Sequence, residues 1–500
     1  MQARLVALVA VITLGMWSPA VQSDLERVWS YSLDSEMFAG ATPLLGVPEY
    51  GPAAVVTAKR GLVFALDSSG RVLWEQPLPG RTVAPAAVGD LQGDGWPEVV
   101  VGDYSGTVTC LSWEGVVQWQ VRVPGEILWA WPAIADLDRD GKGEVVTGDS
   151  KGYLTCLRAD GEVWWRVQTN GSFGSGPAIG DVNGEGAPEV LIGADSRLLC
   201  LAGDGAWLWE RQFEDSCGSA PVLADLEADG RMEVLVGTGR LESRLYALDA
   251  VTGEVRWRFQ TEDGIDSAIS AQDLNGDGLL EIVFGNDCAV LRCLSAGGEE
   301  MWGYQFEGSE AGAPRLPAAP AVGDVDGDGV PEVVAAAHDG TEIMVFSAGG
   351  AIEARQELPS GSNGSPLLLP SQDGKLLILA VTYRAKEVVA FWAGGAWRPE
   401  AVLWPSMRRD PAMSGHVRAK TVLARRFAEP LLPGAVPPLP AVVKGALEVG
   451  PNSIEVQLPA EAAERLLLSD VETPAGGHYR ACLRLSPEQA VAEVAFDAFD

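Results

Sequence analysis

The sequence predicts an all-β protein arranged as an eight-bladed β-propeller followed by a small C-terminal β-module. A unit of about 45 residues recurs eight times between Ser23 and Met407. Each unit holds short apolar runs of strand length, and repeats of roughly this length are typical of propeller blades. The 59 glycines and 32 prolines fall between these runs, which indicates turn-rich β-structure.

A tryptophan marks the outermost strand of seven repeats. Five of the six spacings are 45 residues and one is 48, for Trp29, Trp74, Trp119, Trp164, Trp209, Trp257 and Trp302. A ligand site does not recur on every blade, whereas the contact between neighbouring blades does. We therefore interpret this tryptophan as a wedge that docks one blade against the next.

Repeat six shows the four strands that we expect in each blade. Residues 267–272 form the inner strand, 282–285 open the second, 290–294 form the third and 301–306 form the fourth. These runs are rich in β-branched and aromatic residues, which favour strands.

The two ends of the repeat region predict how the ring closes. Residues 28–33 form a fourth strand with no blade before it, and the last repeat spans residues 366–391. Pairing them removes the open edges that an unclosed sheet exposes. We expect the N-terminal strand to complete blade eight. Seven blades are the alternative, because the first and last repeats lack the acidic loop described below.

Segments outside the repeats predict export and a second module. Residues 1–23 have the positive start, apolar run and small-residue cleavage site of a signal peptide, which leaves residues 24–417 for the propeller. Residues 427–441 form a proline-rich linker, and residues 442–500 form the small β-module. No later apolar run is long enough to span a membrane. We expect a periplasmic, extracellular or cell-surface protein.

The net charge narrows the classes of partner that this protein could bind. The net charge of −33 argues against nucleic acid and anionic lipid as partners. We expect a protein or carbohydrate ligand at a propeller face, and a monomer.

One strand position holds cysteine in four repeats and alanine or valine in the others. The four cysteines are Cys110, Cys156, Cys200 and Cys293. Equivalent positions on different blades are too far apart for disulfides, so we expect free buried thiols.

Six repeats carry an acidic loop of the pattern D-x-[DNQE]-x-[DE]-G-x-x-E. Oxygen side chains at places 1, 3 and 5, a glycine at place 6 and a carboxylate at place 9 suit a hard cation such as Ca²⁺, which takes roughly 6–8 oxygen ligands. We expect up to six structural calcium ions. The alternative is an Asx-turn, in which the first aspartate only caps its own backbone.

These loops resemble those of the FG-GAP/VCBS repeat family, the calcium-loop propellers that include the integrin α-subunit head, over residues 80–340. Residues 173–177 (Phe-Gly-Ser-Gly-Pro) resemble a short form of the motif that names the family. The tryptophan strands, such as residues 245–257, instead resemble PQQ-type quinoprotein propellers. Residues 402–416 resemble a tail of exported quinoprotein-like propellers, which we expect to pack against the ring.

The FG-GAP/VCBS resemblance implies the calcium ligands residue by residue. In the three strongest loops they are Asp136, Asp138, Asp140 and Glu144; Asp273, Asn275, Asp277 and Glu281; and Asp324, Asp326, Asp328 and Glu332. In the weaker loops they are Asp90, Gln92, Asp94 and Glu98; Asp181, Asn183, Glu185 and Glu189; and Asp225, Glu227, Asp229 and Glu233. Integrin-like loops usually have aspartate at place 9, so glutamate there leaves direct or water-mediated coordination open.

The sequence favours a non-enzymatic binding or adhesion scaffold. The chain has three histidines and no nucleophile elbow, Cys/His pair or zinc spacing, so no catalytic residue is predicted. A carbohydrate-active enzyme of the polysaccharide lyase type is the alternative, and a PQQ-dependent dehydrogenase is a weaker one because no two cysteines are adjacent. Trp96, Trp113, Trp129 and Trp131 group in repeats two and three. Of these, Trp129 and Trp131 are candidates for a ligand face, with blade packing as the alternative.

Overall fold

The structure is a computed structural model that describes residues 23–306, 318–338 and 342–398, together with the backbone of the later strands. The chain divides into two compact units, Met1–Ala424 and Arg425–Asp500. Residues 1–22 of the predicted signal peptide and the predicted linker 427–441 lie outside the described residues. The described part of the chain contains no helix long and apolar enough to cross a membrane.

The first unit is an eight-bladed β-propeller, and each blade is an antiparallel sheet of four strands. The strands of blades 1 to 4 are β3 Thr42–Leu44, β4 Ala53–Ala58, β5 Leu62–Asp67 and β6 Val72–Pro77; β7 Ala87–Gly89, β8 Glu98–Gly102, β9 Thr107–Leu111 and β10 Val117–Arg122; β11 Ala133–Ala135, β12 Glu144–Gly148, β13 Tyr153–Leu157 and β14 Val163–Gln168; and β15 Ala178–Gly180, β16 Glu189–Ala194, β17 Arg197–Ala202 and β18 Trp207–Gln212.

The strands of blades 5 to 8 follow the same order. They are β19 Val222–Ala224, β20 Glu233–Gly237, β21 Arg244–Asp249 and β22 Val255–Gln260; β23 Ser270–Gln272, β24 Glu281–Gly285, β25 Val290–Leu294 and β26 Glu300–Gln305; β27 Ala321–Gly323, β28 Glu332–Ala336, β29 Glu342–Phe346 and β30 Ile352–Glu357; and β31 Leu367–Pro370, β32 Lys375–Thr382 and β33 Glu387–Ala396, with β2 Glu26–Ser32 as the fourth strand of blade 8.

The first strands of the blades form a closed inner ring, in which each contacts the next and β31 contacts β3. Strand β2 pairs antiparallel with β33 and places Trp29 opposite Ala390. The predicted closure by the N-terminal strand is therefore confirmed, and the seven-bladed alternative is wrong. The second strands are buried along their length, and the apolar core lies between neighbouring blades.

The tryptophan wedge is confirmed as an inter-blade contact, with one correction. In all seven cases the indole N–H donates to a carbonyl oxygen of the next blade at 2.8–3.0 Å. In blade 3 the residue at this register is Trp165, opposite Cys156, and not Trp164. The spacing of 45 residues selected Trp164 because repeat three is one residue longer before its wedge. Trp164 instead packs against the guanidinium of Arg158.

The contact between blades 7 and 8 is built differently. Strand β30 has Ala354 at the wedge position, opposite Val345. The short strand β1, Ser23–Asp24, pairs parallel with β30, and the next residue, Leu25, is buried in the apolar cluster that joins these two blades. The N-terminal segment therefore contributes a strand to both blades and an apolar side chain between them.

The chain after blade 8 returns to the inner ring. Strand β34, Val402–Trp404, pairs antiparallel with β27, and β35, His416–Val417, pairs parallel with β19. These two strands confirm the predicted packing of this tail against the ring. In the second unit, one sheet has the order β36, β37, β40, β39, β38, with bounds Leu447–Val449, Ile454–Gln457, Gln489–Ala498, His478–Ser486 and Val471–Glu472.

The alternating strand directions give the propeller two distinct faces. The loops between first and second strands, and the turns between third and fourth strands, lie on the face that we call the acidic-loop face. The turns between second and third strands, and the connections between blades, lie on the opposite face, which we call the connection face.

Candidate calcium loops and a ligand-binding face

All six acidic loops connect the first and second strands of their blades, in blades 2 to 7. In each loop both carboxylate oxygens of the first aspartate accept backbone N–H groups of the same loop, and the glycine at place 6 is always one of the donors. The Asx-turn is thus present in every loop. It fixes the loop shape, and in blades 3 and 7 the carboxylates of places 1, 3 and 9 lie together.

The glutamate at place 9 is the first residue of the second strand and is buried in all six loops. Its Oε2 accepts the backbone N–H of place 2 at 2.8–3.0 Å. Burial raises the pKa of each of these glutamates, and the neighbouring aspartates or glutamates raise it further. The Oε2 atom of each glutamate is therefore used in a hydrogen bond to the backbone, and Oε1 is the oxygen that could bind a cation in the loop.

In the loop of blade 7 the grouped carboxylates have no positively charged partner within the part of the chain that the structure describes. Carboxylate oxygens of Asp324, Asp326 and Glu332 lie within 4.8 Å of one another. Burial, with Asp326, Glu353 and Asp324, raises the pKa of Glu332 to about 8. Among the described residues no Lys or Arg forms a salt bridge with this group. A divalent cation is the species that such a group of oxygens would accept.

The loop of blade 3 has the same grouping but already holds a counter-charge. Oxygens of Asp136, Asp138 and Glu144 lie within 4.8 Å of one another. The Nη1 of Arg158 lies 2.7 Å from Asp138 Oδ2 and 3.9 Å from Glu144 Oε1. Burial still raises the pKa of Glu144 to about 7. The guanidinium therefore competes with a cation for two of the predicted ligands.

The remaining four loops fit calcium less well. In blade 5, Arg256 forms salt bridges with both Glu227 and Glu233. In blade 2, the Gln92 amide donates to the Ala159 carbonyl and so points away from the loop. In blades 4 and 6 the amides of Asn183 and Asn275 donate to the place-9 glutamates, in the orientation opposite to that of a metal ligand. The blade 6 loop, predicted to be strong, therefore turns the Asn275 amide N–H toward Glu281, and its calcium site stays a prediction.

The four grouped tryptophans separate onto the two faces. Trp96 and Trp113 stack with ring centroids 5.4 Å apart on the acidic-loop face, where Tyr50 packs edge-on against Trp113. Trp129 is 49% exposed in the connection between blades 2 and 3, on the connection face. Trp131 is only 8% exposed and lies in the apolar core, where it packs closely on Gly176. Of the two candidate ligand residues, only Trp129 is accessible.

Trp129 borders a cavity of about 340 Å³ on the connection face. Its lining comes from blade connections and turns of blades 2 to 5, and includes Trp129, Gly148, Asp149, Phe173, Asp195 and Cys217. The Asp149 carboxylate accepts the backbone N–H groups of Gly125 and Lys151. The Asp195 carboxylate accepts both the backbone N–H and the hydroxyl of Ser172. These aspartates hold the cavity walls in place, so the cavity is formed before a ligand arrives.

The aspartates of this cavity were not predicted from the sequence. A usable signal was present, because a residue pair of glycine or alanine followed by aspartate ends the second strand in three successive repeats, at Asp103, Asp149 and Asp195. The predicted free buried thiols are confirmed for Cys110, Cys156, Cys200 and Cys293, which lie at the strand position opposite the wedge residue. Cys217 and Cys288, for which no prediction was made, are free as well.

Two protein-family models match parts of the chain. Residues 150–393 match a model described as outer membrane protein assembly factor BamB, of the PQQ-like repeat type. Residues 54–134 match a model described as the lambda-carrageenase β-propeller domain. A search of characterised proteins by sequence finds no significant match. The FG-GAP/VCBS resemblance stays a prediction.

Solved structures of low sequence identity share the propeller fold. BamB from Moraxella catarrhalis superposes with a TM-score of 0.51 at 17% identity, over 74% of this chain and 98% of that one. The Vibrio cholerae biofilm matrix protein Bap1 gives 0.60 at 14% identity, over 77% and 94%. Quinohemoprotein alcohol dehydrogenase from Comamonas testosteroni gives 0.53 at 14% identity, over 75% and 77%. Fold and comparisons together identify an eight-bladed β-propeller with PQQ-like repeats.

Proposed function

We propose that this chain is an exported binding protein, stabilised by calcium, whose connection face holds a protein or carbohydrate ligand without catalysis. The single observation that carries the proposal is the cavity beside Trp129. A large aromatic side chain held half exposed at the edge of a preformed cavity is typical of a ligand contact, because its burial by the ligand gains free energy without ordering the protein.

Carbohydrate is the better supported of the two ligand classes. The lambda-carrageenase propeller model matches residues 54–134, a range that includes Trp129. An exposed indole ring offers the flat apolar surface on which a sugar ring packs, and Asp195 brings an exposed carboxylate to the same cavity. The same match supports a carbohydrate-active enzyme as the second candidate.

The ligand proposal is tested by affinity electrophoresis through gels that each contain one soluble polysaccharide. A Trp129→Ala variant should lose most of the retardation, since an aromatic anchor contributes about 2 kcal/mol or more. Trp207→Ala is the matched control, because Trp207 is 45% exposed on the outer strand of blade 4, away from the cavity. Equal retardation of both variants would remove Trp129 from the ligand site. Release of reducing ends from a retarding polysaccharide would favour the enzyme.

Calcium in this proposal is structural, and the blade 7 loop is its best site. Asp324, Asp326 and Glu332 would hold the ion, with the Asp328 side chain next in the loop. A bound cation would remove the repulsion between these carboxylates and fix the start of β28 relative to β27. Export to a calcium-containing compartment agrees with the predicted signal peptide.

A further inference from the structure

The connection face has one region with an excess of positive charge, although the chain as a whole carries −33. We call it the basic sector. It lies in the turns and connections of blades 8 and 1 and at the entry to blade 2, and comprises Lys59, Arg60, Arg81, Arg384 and Lys386. The carboxylates of the same turns and connections are Asp34 and Glu36, and the buried Asp103 lies beside Tyr104 in the adjoining turn of blade 2, where it accepts the Gly80 N–H.

The opposite side of this face has the reverse charge. The corresponding turns and connections of blades 4 to 6 contain one cation, Arg240, and the carboxylates Asp195, Glu214, Asp215, Glu242, Glu262, Asp263, Asp266 and Asp287. The connection face is therefore strongly polarised. An anionic ligand that approaches the connection face is attracted to the basic sector and repelled from the acidic side, because a patch of one sign concentrates ligands of the opposite charge.

Lys59 is held in a fixed position at the centre of the basic sector. Its Nζ lies 2.6 Å from Glu36 Oε2 and 4.8 Å from the centroid of the Phe38 ring. The Phe38 ring packs against Tyr383 with centroids 4.5 Å apart, and His338 lies 5.9 Å from Tyr383. Glu36 neutralises Lys59, so this group provides ordered aromatic rings more than net charge.

The net charge comes from Arg60 and Arg81. Both side chains are exposed, and neither has a carboxylate partner among the salt bridges of the described residues. The backbone N–H of Tyr104 donates to the Arg81 carbonyl at 2.7 Å, which joins Arg81 to a further aromatic residue. Burial raises the pKa of Tyr104 and the negative charge of Glu126 adds to that rise, whereas the positive charges of Lys59 and Arg81 oppose it.

We propose that the basic sector is a binding site for an anionic sugar chain, one that carries carboxylate or sulfate groups. Guanidinium groups recognise carboxylates and sulfates by paired hydrogen bonds, and half-buried aromatic rings pack against the apolar faces of sugar rings. This site is separate from the Trp129 cavity and does not depend on it.

The observations favour a sugar chain over other anions. A nucleic acid or an anionic membrane extends far beyond the sector and meets the negative charge of the rest of the molecule, which is repulsive. An acidic peptide could pair with Arg60 and Arg81, but its carboxylate side chains offer no ring to Phe38, Tyr104 and Tyr383, so it would need aromatic or proline residues at the right spacing as well. A sugar chain satisfies both the charges and the rings.

The test measures binding of polygalacturonate, a sulfated galactan and an uncharged galactan to the whole mature protein by isothermal titration calorimetry at two salt concentrations. The double variant Arg60→Gln/Arg81→Gln should weaken anionic binding about tenfold or more, and added salt should weaken wild-type binding. The matched control is Arg122→Gln/Arg258→Gln, which removes the same charge from exposed positions on the outer strands β10 and β22. Thermal unfolding of all variants checks that the ring is intact.

Whether polygalacturonate or the sulfated galactan binds more tightly identifies the anionic group. Equal loss in both double variants, or no anionic binding by the wild type, would overturn the proposal. Equal binding of poly-glutamate or of anionic vesicles would also overturn it, because the sector would then recognise charge alone. The Trp129→Ala variant should keep its anionic binding, so failure of this site and failure of the cavity are distinguished.

Discussion

The indole Nε1 of Trp165 in blade 3 donates to the carbonyl oxygen of Gly203 in blade 4 at 2.8 Å. Its ring covers Gly205, whose φ of +83° and lack of a side chain leave room for it, since a Cβ there would stand 2.9 Å from the ring. The same pair of contacts recurs at seven of the eight blade interfaces. Ring closure is therefore distributed over many equivalent contacts and does not depend on the terminal strands alone.

The neighbouring tryptophans of blade 3 test this contact. Trp165→Ala should lower the free energy of unfolding by about 3 kcal/mol, because it leaves a cavity and an unpaired carbonyl. Trp164→Ala removes a partly buried side chain of the same size from the other face of the strand, where it packs against Arg158 and donates no hydrogen bond to the next blade, and it should cost less than Trp165→Ala. Urea unfolding followed by circular dichroism measures both. Equal losses would show that the wedge is not the contact that joins the blades.

Calcium should stabilise the propeller through the blade 7 loop. At about 2 mM Ca²⁺ and a Kd of ~10⁻⁴ M, a filled site adds about 1.8 kcal/mol to the free energy of unfolding. Thermal unfolding with Ca²⁺ and with excess chelator measures the gain. Asp326→Asn/Asp328→Asn should abolish most of it, whereas Asp204→Asn, in a turn of blade 4 outside the acidic loops, should not. An unchanged Tm on chelation would mean that the loops are turns only.

Arg158 should limit calcium binding in blade 3. Its guanidinium occupies the side of Asp138 that a cation needs, so Arg158→Gln should raise the calcium affinity of this loop several-fold. Titration calorimetry of the blade 7 double variant, with and without Arg158→Gln, isolates the effect. Arg166→Gln, on the outer strand of the same blade, is the control. A lower affinity in the Arg158 variant would show that the salt bridge organises the site.

The strand thiols should be unreactive in the folded protein. Burial raises the pKa of Cys200 and Cys293 to about 12, so at pH 8 on the order of one thiol in 10⁴ is ionised. Unfolded thiols ionise near pH 9, and folded ones keep the proton until about pH 12. These groups therefore stabilise the fold below pH 9, and that stability is lost as the pH rises from 9 to 12.

Alkylation followed by peptide mass spectrometry measures thiol access at each cysteine. At pH 8 the half-buried Cys288 should react before Cys200 and Cys293, which should react only when urea is added. Modification of Cys200 in the native protein at the rate of Cys288 would contradict this burial.

Much of the propeller was predictable because it repeats. The spacing and the strand composition are local features that each blade repeats, so a wrong boundary in one blade does not change the boundaries predicted for the others. The unpaired strand at residues 28–33 is also visible in the sequence. The acidic loops were found for the same reason, since the place-1 aspartate and the glycine at place 6 act within a single turn. The wedge of blade 3 shows the limit of prediction from spacing: the spacing indicated Trp164, and the structure has Trp165. A shift of one residue places a side chain on the other face of the strand, and only the pairing of the strands reveals it.

The sequence alone determined the fold class, the strand order and the positions of the six acidic loops, because these depend on contacts within about 45 residues. Tertiary structure alone decided which loops hold competing arginines, which tryptophan is exposed, and that Lys59, Arg81 and Tyr383 share one face. Arg158 and Asp138 are 20 residues apart, and Lys59 and Tyr383 are more than 300 apart. Folding of blade 3 brings the first pair together and closure of the ring brings the second, so the chemistry of each site depends on the tertiary structure.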